Sequence, residues 1–163
     1  MVLYGAVNAP DKVKKCLDTA LRILARRDHS CFELSAKLLE RGFVQDHIQW
    51  VVDECLRLDY LDDSRYAVTY TEKLMRKGYG SRRIKQVLAA KGVSSRIITI
   101  CLDSLCHNNA EIRTCRQALL IKISRNRSDA ASAAAKARLY RFLLGRGFEP
   151  DIIRQVMEEQ GMA

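Results

Sequence analysis

The residues of this chain that could do chemistry are six cysteines, three histidines, an aspartate pair and one glycine-rich turn. Thiolates and imidazoles at C-x-x-C or H-x-x-x-H spacing would hold zinc. Cys16, Cys31, Cys55, Cys101, Cys106 and Cys115 contain no C-x-x-C, and the tightest group, Cys101 and Cys106 with His107, lacks a second ligand pair at usable spacing. Most of these cysteines fall at apolar helical positions, where a reduced thiol behaves as a small hydrophobe. His29, His47 and His107 are scattered and read as surface or capping residues. Asp62-Asp63 would suit a metal, but helix capping explains the pair with fewer assumptions. Gly78-Tyr79-Gly80-Ser81 resembles a phosphate cradle, yet no strand precedes it and the Gly-Lys-Ser/Thr ending is missing. The helix opening there keeps free N–H groups for an anion. With no nucleophile–base pair and no cofactor motif, the chain reads as a non-enzyme without metal or cofactor.

Charge offers a different chemistry. The net charge is +9, but residues 1–72 carry −2, residues 73–148 carry +14 and residues 149–163 carry −3. From Lys73 to Leu102 there is no acid, against eight basic residues: Lys73, Arg76, Lys77, Arg82, Arg83, Lys85, Lys91 and Arg96. At about 100° per residue, Ile84, Val87 and Leu88 share one helix face while Arg82, Arg83 and Lys85 spread over the other. Such a stretch repels itself unless a polyanion relieves it. The eight residues are therefore the candidate partner-binding face. Nucleic-acid phosphate, an acidic protein groove, or a protein–DNA filament offering both would fit. Trp50 and the tyrosines 60, 66, 70, 79 and 140 lie near helix junctions and read as packing rather than base-stacking platforms.

The elements that position this charge repeat themselves. Gly42, Gly92 and Gly147 are 50 and 55 residues apart. Eight residues before them stand Leu34, Ile84 and Leu139; four before, Leu38, Leu88 and Leu143; one before, Arg41, Lys91 and Arg146; six after, Ile48, Ile98 and Ile153. A repeat of this length is one supersecondary unit, stable only when stacked on its neighbours. Each copy reads as three helices, with the glycine at a C′ position of positive φ. Ser30-Cys31-Phe32-Glu33 is a capping-box pattern, Asp62 and Asp63 cap the next repeat, and Ser81 caps its second helix. The expected organisation is a loose tail over 1–9 and three-helix repeats over 10–61, 62–107 and 108–163. The third has a small, polar stretch from Ser124 to Ala135, and its last helix opens at Pro150 and ends before Gly161. With 48% hydrophobic and 29% charged residues, the 163-residue chain can bury a real core. No run of about 18 apolar residues could span a bilayer. Met1 to Lys15 lacks the basic and apolar regions of an export signal. The reading is a soluble, cytosolic, all-α scaffold with an extended surface.

At this point the chain resembles the bacterial regulatory protein RecX family. The resemblance rests on Ala20–Ser30 with Glu33-Leu34 and Lys37-Leu38, then Tyr60–Tyr66, then Arg76–Gly80 with Arg83-Ile84, Leu88 and Lys91-Gly92-Val93, and finally Arg141–Leu144 with Arg146-Gly147-Phe148. It implies three tandem three-helix repeats stacked into an elongated, curved, solenoid-like molecule. It also implies a cytoplasmic modulator that binds RecA and lodges in the groove of the RecA–single-stranded DNA filament; the free chain is expected to be a monomer. Such a modulator inhibits ATPase, strand exchange and co-protease activity, and so restrains recombination and the SOS response; some members bind DNA directly. The family has no catalytic residues to carry over. The alternative is a sequence-tolerant basic DNA-binding helical module that competes for DNA.

Overall fold

The computed structural model describes residues 10–107, 109–125 and 132–162. The expected tail 1–9, Asn108 and the middle of the stretch from Ser124 to Ala135 lie outside these residues, as do the side chains of Cys106 and His107. Among the described residues there are nine helices and no strand: α1 (Pro10–Leu24), α2 (Cys31–Leu39), α3 (Gln45–Arg57), α4 (Asp63–Arg76), α5 (Ser81–Ala90), α6 (Ser95–His107), α7 (Ala110–Arg125), α8 (Ala133–Gly145) and α9 (Pro150–Glu159). The chain is therefore all-α and built from three consecutive helix triplets. The described residues gather into two compact units, one of those within 1–66 with Lys91–Val93 and one of Ala67–Ala90 with those within 94–163. The division runs through the second repeat.

Local chemistry sets the helix ends. The Ser30 hydroxyl accepts the Glu33 N–H, and Ser132 accepts the Ala135 N–H, each satisfying a donor that the first turn leaves free. Asp62 Oδ1 accepts from both Ser64 and Arg65 at the start of α4. Pro150 opens α9, where its missing N–H costs nothing. Gly42, Gly92 and Gly147, following α2, α5 and α8 in the chain, hold φ of +82°, +74° and +83°. That left-handed conformation penalises any residue with a Cβ.

The nine apolar repeat positions at eight and four residues before the glycines and six after are all buried. In the first unit, Val13, Cys16, Ala20 and Ile23 of α1 meet Leu34 and Leu38 of α2 and Ile48, Val51, Val52 and Cys55 of α3, with Trp50 packed at the margin. In the second unit, Cys115, Ala118 and Leu119 of α7 meet Leu139 and Leu143 of α8, Phe148, and Ile153, Val156 and Met157 of α9. Each fully buried Leu or Ile contributes about 2 kcal/mol through apolar area removed from water.

Each unit then contains the same junction, in which a helix N-terminus abuts a glycine turn. In the first unit, Ser30 Oγ donates to the Lys91 carbonyl at 2.6 Å, and Asp63 Oδ1 accepts the Cys31 N–H at 2.9 Å. A Cβ on Gly92 would lie 2.2 Å from Phe32 Cβ. In the second unit, Gly80 N–H donates to the Arg146 carbonyl and Arg82 N–H to the Gly147 carbonyl, both at 3.0 Å. Glu111 Oε1 accepts the Ser81 N–H at 2.7 Å. A Cβ on Gly147 would lie 2.4 Å from the Arg83 nitrogen, and one on Gly80 2.5 Å from the Gly147 carbonyl oxygen.

Four expectations change here. Ser81 is the first residue of α5 rather than its preceding cap, and the incoming carboxylate is that of Glu111. The N–H groups of Gly80, Ser81 and Arg82 are all bonded within the protein, so this N-terminus is closed to an external anion. Asp63, expected to cap its own helix, accepts the Cys31 N–H of α2 instead. The capping box is also only half made. Glu33 accepts from Lys91 Nζ at 2.5 Å, from the Tyr66 hydroxyl at 2.9 Å and from Arg27 at 3.1 Å.

Burial alone would raise the Glu33 carboxyl, but the donors from Arg27, Lys91 and Tyr66 outweigh it and bring it from 4.5 down to about 2. A depressed carboxylate stabilises the fold above its unfolded pKa and loses that contribution as pH falls through the folded one. The contribution is therefore full above about pH 4.5 and gone below about pH 2, and at neutral pH it is on the order of 3 kcal/mol. Glu33→Gln should be destabilised by roughly that order at pH 7 and converge on wild type near pH 2. Parallel unfolding curves across the whole range would remove Glu33 from this role. Gly42→Ala, with nothing within 4 Å of the new Cβ, should lose about 1 kcal/mol for backbone strain alone. Gly92→Ala should lose at least about twice that, because Phe32 must also move. Equal shifts of the urea midpoint would refute the close approach.

Candidate functional site

The side of α7 that flanks the Cys115 and Leu119 stripe carries Ala110, Arg113, Thr114, Gln117, Ala118, Ile121, Lys122 and Arg125. Two rows, Ala110, Arg113, Gln117, Ile121 and Arg125 beside Thr114, Ala118 and Lys122, each recur at three or four residues, which places them along one broad side of a helix. With Met75, Arg76, Lys77 and Gly78 at the end of α4 and Phe142 and Arg146 at the end of α8, they line an open groove of about 640 Å³ within the second unit. Six lining residues are cationic (Arg76, Lys77, Arg113, Lys122, Arg125, Arg146) and none is acidic. Among the described residues, Arg76, Lys77, Lys122, Arg125 and Arg146 have no carboxylate partner within salt-bridge distance.

Arg146 is held firmly. Its Nη1 donates to the carbonyls of Lys77 at 2.7 Å and Gly78 at 3.1 Å. Its guanidinium lies 4.8 Å from the Phe142 ring centre and 5.5 Å from that of Tyr79. Lys122 Nζ approaches the same Phe142 ring at 5.1 Å. The ring's negative face attracts each cation, but the two cations repel each other, and only an added anion removes that repulsion.

The repeat explains why this cation is available. Lys91 and Arg146 both stand one residue before a repeat glycine, while Glu33 and Arg83 both stand nine before one. In the first unit Glu33 neutralises Lys91. In the second unit Arg83 occupies the position of Glu33, so no carboxylate arrives and Arg146 turns to backbone carbonyls and rings.

Of the eight basic residues read from the sequence, Arg76 and Lys77 line the groove. Arg82, Arg83 and Lys85 are exposed on α5, Arg96 is exposed in the first turn of α6, and Lys73 lies 5.6 Å from the Tyr70 ring centre. Lys91 belongs to the first unit and is committed to Glu33, so it is not a free contact cation. Arg113, Lys122, Arg125 and Arg146 escaped the sequence reading. Their signals were the +14 charge of residues 73–148, the three-and-four spacing along α7, and the pre-glycine position of Arg146.

The arrangement sets six cations and no acid along one groove. No cluster of three or more His, Cys, Asp or Glu suited to a metal occurs among the described residues. Burial pushes the thiols of Cys31 and Cys115 up to about 12 and that of Cys16 up to about 11, which leaves them protonated and unreactive. Glu111, the buried acid at the second junction, is also raised by burial, against the Ser81 donors that lower it. No described helix is long and apolar enough to cross a membrane. Arg83→Glu, which restores the missing carboxylate, should pair with Arg146 and raise stability by about 0.5–1 kcal/mol at low ionic strength. The gain should vanish in an Arg146→Ala background; a gain that persists there would mean the two positions do not communicate.

Family models for the first, second and third three-helix domains of RecX match residues 16–55, 62–102 and 113–157. The chain is 35% identical over 147 residues to the regulatory protein RecX of Legionella pneumophila (strain Corby), covering 89% of this chain and 94% of that protein. It is 32% identical over 145 residues to the regulatory protein RecX of Vibrio vulnificus (strain CMCP6), covering 89% and 92%. The fold superposes on the crystal structure of RecX from Lactobacillus salivarius with a TM-score of 0.82 at 23% identity, over 94% of this chain and 99% of that one. A second crystal structure, of a regulatory protein RecX, gives a TM-score of 0.78 at 18% identity, over 91% and 72%.

Proposed function

This chain belongs to the RecX family of regulatory proteins, and on that premise we propose that it is a non-enzymatic, cytoplasmic negative regulator of the RecA recombinase. It binds RecA, lodges in the groove of the RecA–single-stranded DNA filament, and inhibits ATPase, strand exchange and co-protease activity. Recombination and the SOS response are thereby restrained. The observation that carries this reading is the concentration of cations without acids from Lys73 to Leu102, continued by the cationic groove of α4, α7 and α8. Such a surface suits a filament that presents acidic protein and phosphate together. A ligand that bridges protomers blocks their rearrangement when it binds one filament state better than the other, since only differential affinity shifts that equilibrium.

Titration into RecA on single-stranded DNA, followed by ATP hydrolysis, tests the proposal. Inhibition is expected well below one protein per DNA site and should weaken steeply with salt. A basic module that merely competes for DNA would need amounts comparable to the DNA sites. Changing Arg82, Arg83 and Lys85 together to Glu should abolish inhibition while the circular dichroism spectrum is retained. Full inhibition by that variant would exclude the α5 face from the contact.

A further inference from the structure

We propose that the groove between α4, α7 and α8 is a docking site for an acidic amphipathic peptide segment of a protein partner, rather than for nucleic acid. The inference rests on the regulator reading above and names the chemistry of one contact within it. Three observations carry it.

The first is charge. Arg116, on the same helix but off the groove, bonds Glu159 at 2.5 Å, so α7 does receive carboxylates on its other side. On the groove side, among the described residues, Lys122 and Arg125 receive none. The described residues leave that side of α7 cationic, open to a carboxylate-rich partner. The second is preorganisation. Arg146 is anchored through a single nitrogen, Nη1, and lies near two rings, which leaves its remaining donors in a fixed direction for a carboxylate. A guanidinium already immobilised loses little entropy when it binds.

The third is the floor. Between the cations lie Met75, Ala118 and Ile121, with Ile121 41% exposed, offering apolar contact that a phosphate backbone does not use. Phe142 is the sole aromatic residue lining the groove. Its ring already has Lys122 and Arg146 within about 5 Å of its centre, so it is no open platform for a nucleobase. The lining face of α7 runs from Ala110 to Arg125, about 22 Å at helical rise. That length matches a partner helix of about four turns, apolar on the face it lays into the groove and carboxylate-rich along its edges.

Fluorescence anisotropy on the full chain provides the test, with two labelled probes. One is a synthetic helix carrying Glu along both edges of a Leu stripe; the other is a short oligo(dT). Arg125→Glu and Ile121→Asp alter exposed side chains, so the fold is retained. Each should weaken the peptide about tenfold and change oligo(dT) affinity less than about twofold. Peptide affinity unchanged in either variant overturns the proposal, as does a loss confined to oligo(dT). The RecA ATPase assay separates this result from the regulator reading. Wild type that binds the peptide but leaves ATP hydrolysis untouched removes the regulator and keeps the groove. Variants that lose the peptide yet inhibit as wild type does show that the groove is not the filament contact, and the proposal falls while the regulator stands.

Discussion

The structure depends on how a buried helix N-terminus finds partners for its free N–H groups. A helix leaves four donors unsatisfied at its start, and each one buried without a partner costs on the order of 1–3 kcal/mol. In the second unit the Gly80 and Arg82 N–H groups meet the carbonyls of a glycine turn and the Ser81 N–H meets Glu111; in the first, the Cys31 N–H meets Asp63, the Glu33 N–H meets the Ser30 hydroxyl, and that hydroxyl in turn donates to the Lys91 carbonyl. The glycine is required twice over. Its φ is left-handed, and its missing Cβ leaves the space taken by Phe32 at one junction and by the Arg83 backbone at the other.

This constraint shapes the electrostatics. The acids at the junctions are consumed internally, Glu33 by Lys91, Arg27 and Tyr66, Asp63 and Glu111 by backbone donors. With the acids of the middle of the chain so few, Arg76, Arg82, Arg83, Lys85, Lys122 and Arg125 have no carboxylate within salt-bridge distance among the described residues. One repeat position decides the difference between the two junctions. Glutamate at 33 quenches the pre-glycine lysine, whereas arginine at 83 leaves Arg146 to line a groove. A side chain nine residues before a structural glycine thus sets whether the pre-glycine cation is neutralised.

Much of the helical layout was legible because its determinants are local. Ser30, Asp62, Pro150 and the three glycines act on backbone groups within a few residues, so residue type and spacing expose them. The buried repeat positions were legible for the same reason, since a 3.6-residue period marks one helix face. The pairing of Lys91 was not legible, for the opposite reason. Its partner Glu33 lies 58 residues away in sequence, and nothing local marks the pair. The N–H groups of α5 were misread likewise, because Glu111 and the turn at Arg146 reach them from distant parts of the chain.

The amino-acid order by itself determined which stretches coil, where they stop, which stripe each buries, and that the positive charge gathers in the middle and third repeats. These follow from backbone sterics and from periodicities shorter than two turns. Only tertiary structure decided which cations are neutralised and which remain. Coulombic pairing depends on distances of a few ångströms between side chains tens of residues apart, and those distances exist only once the helices have packed.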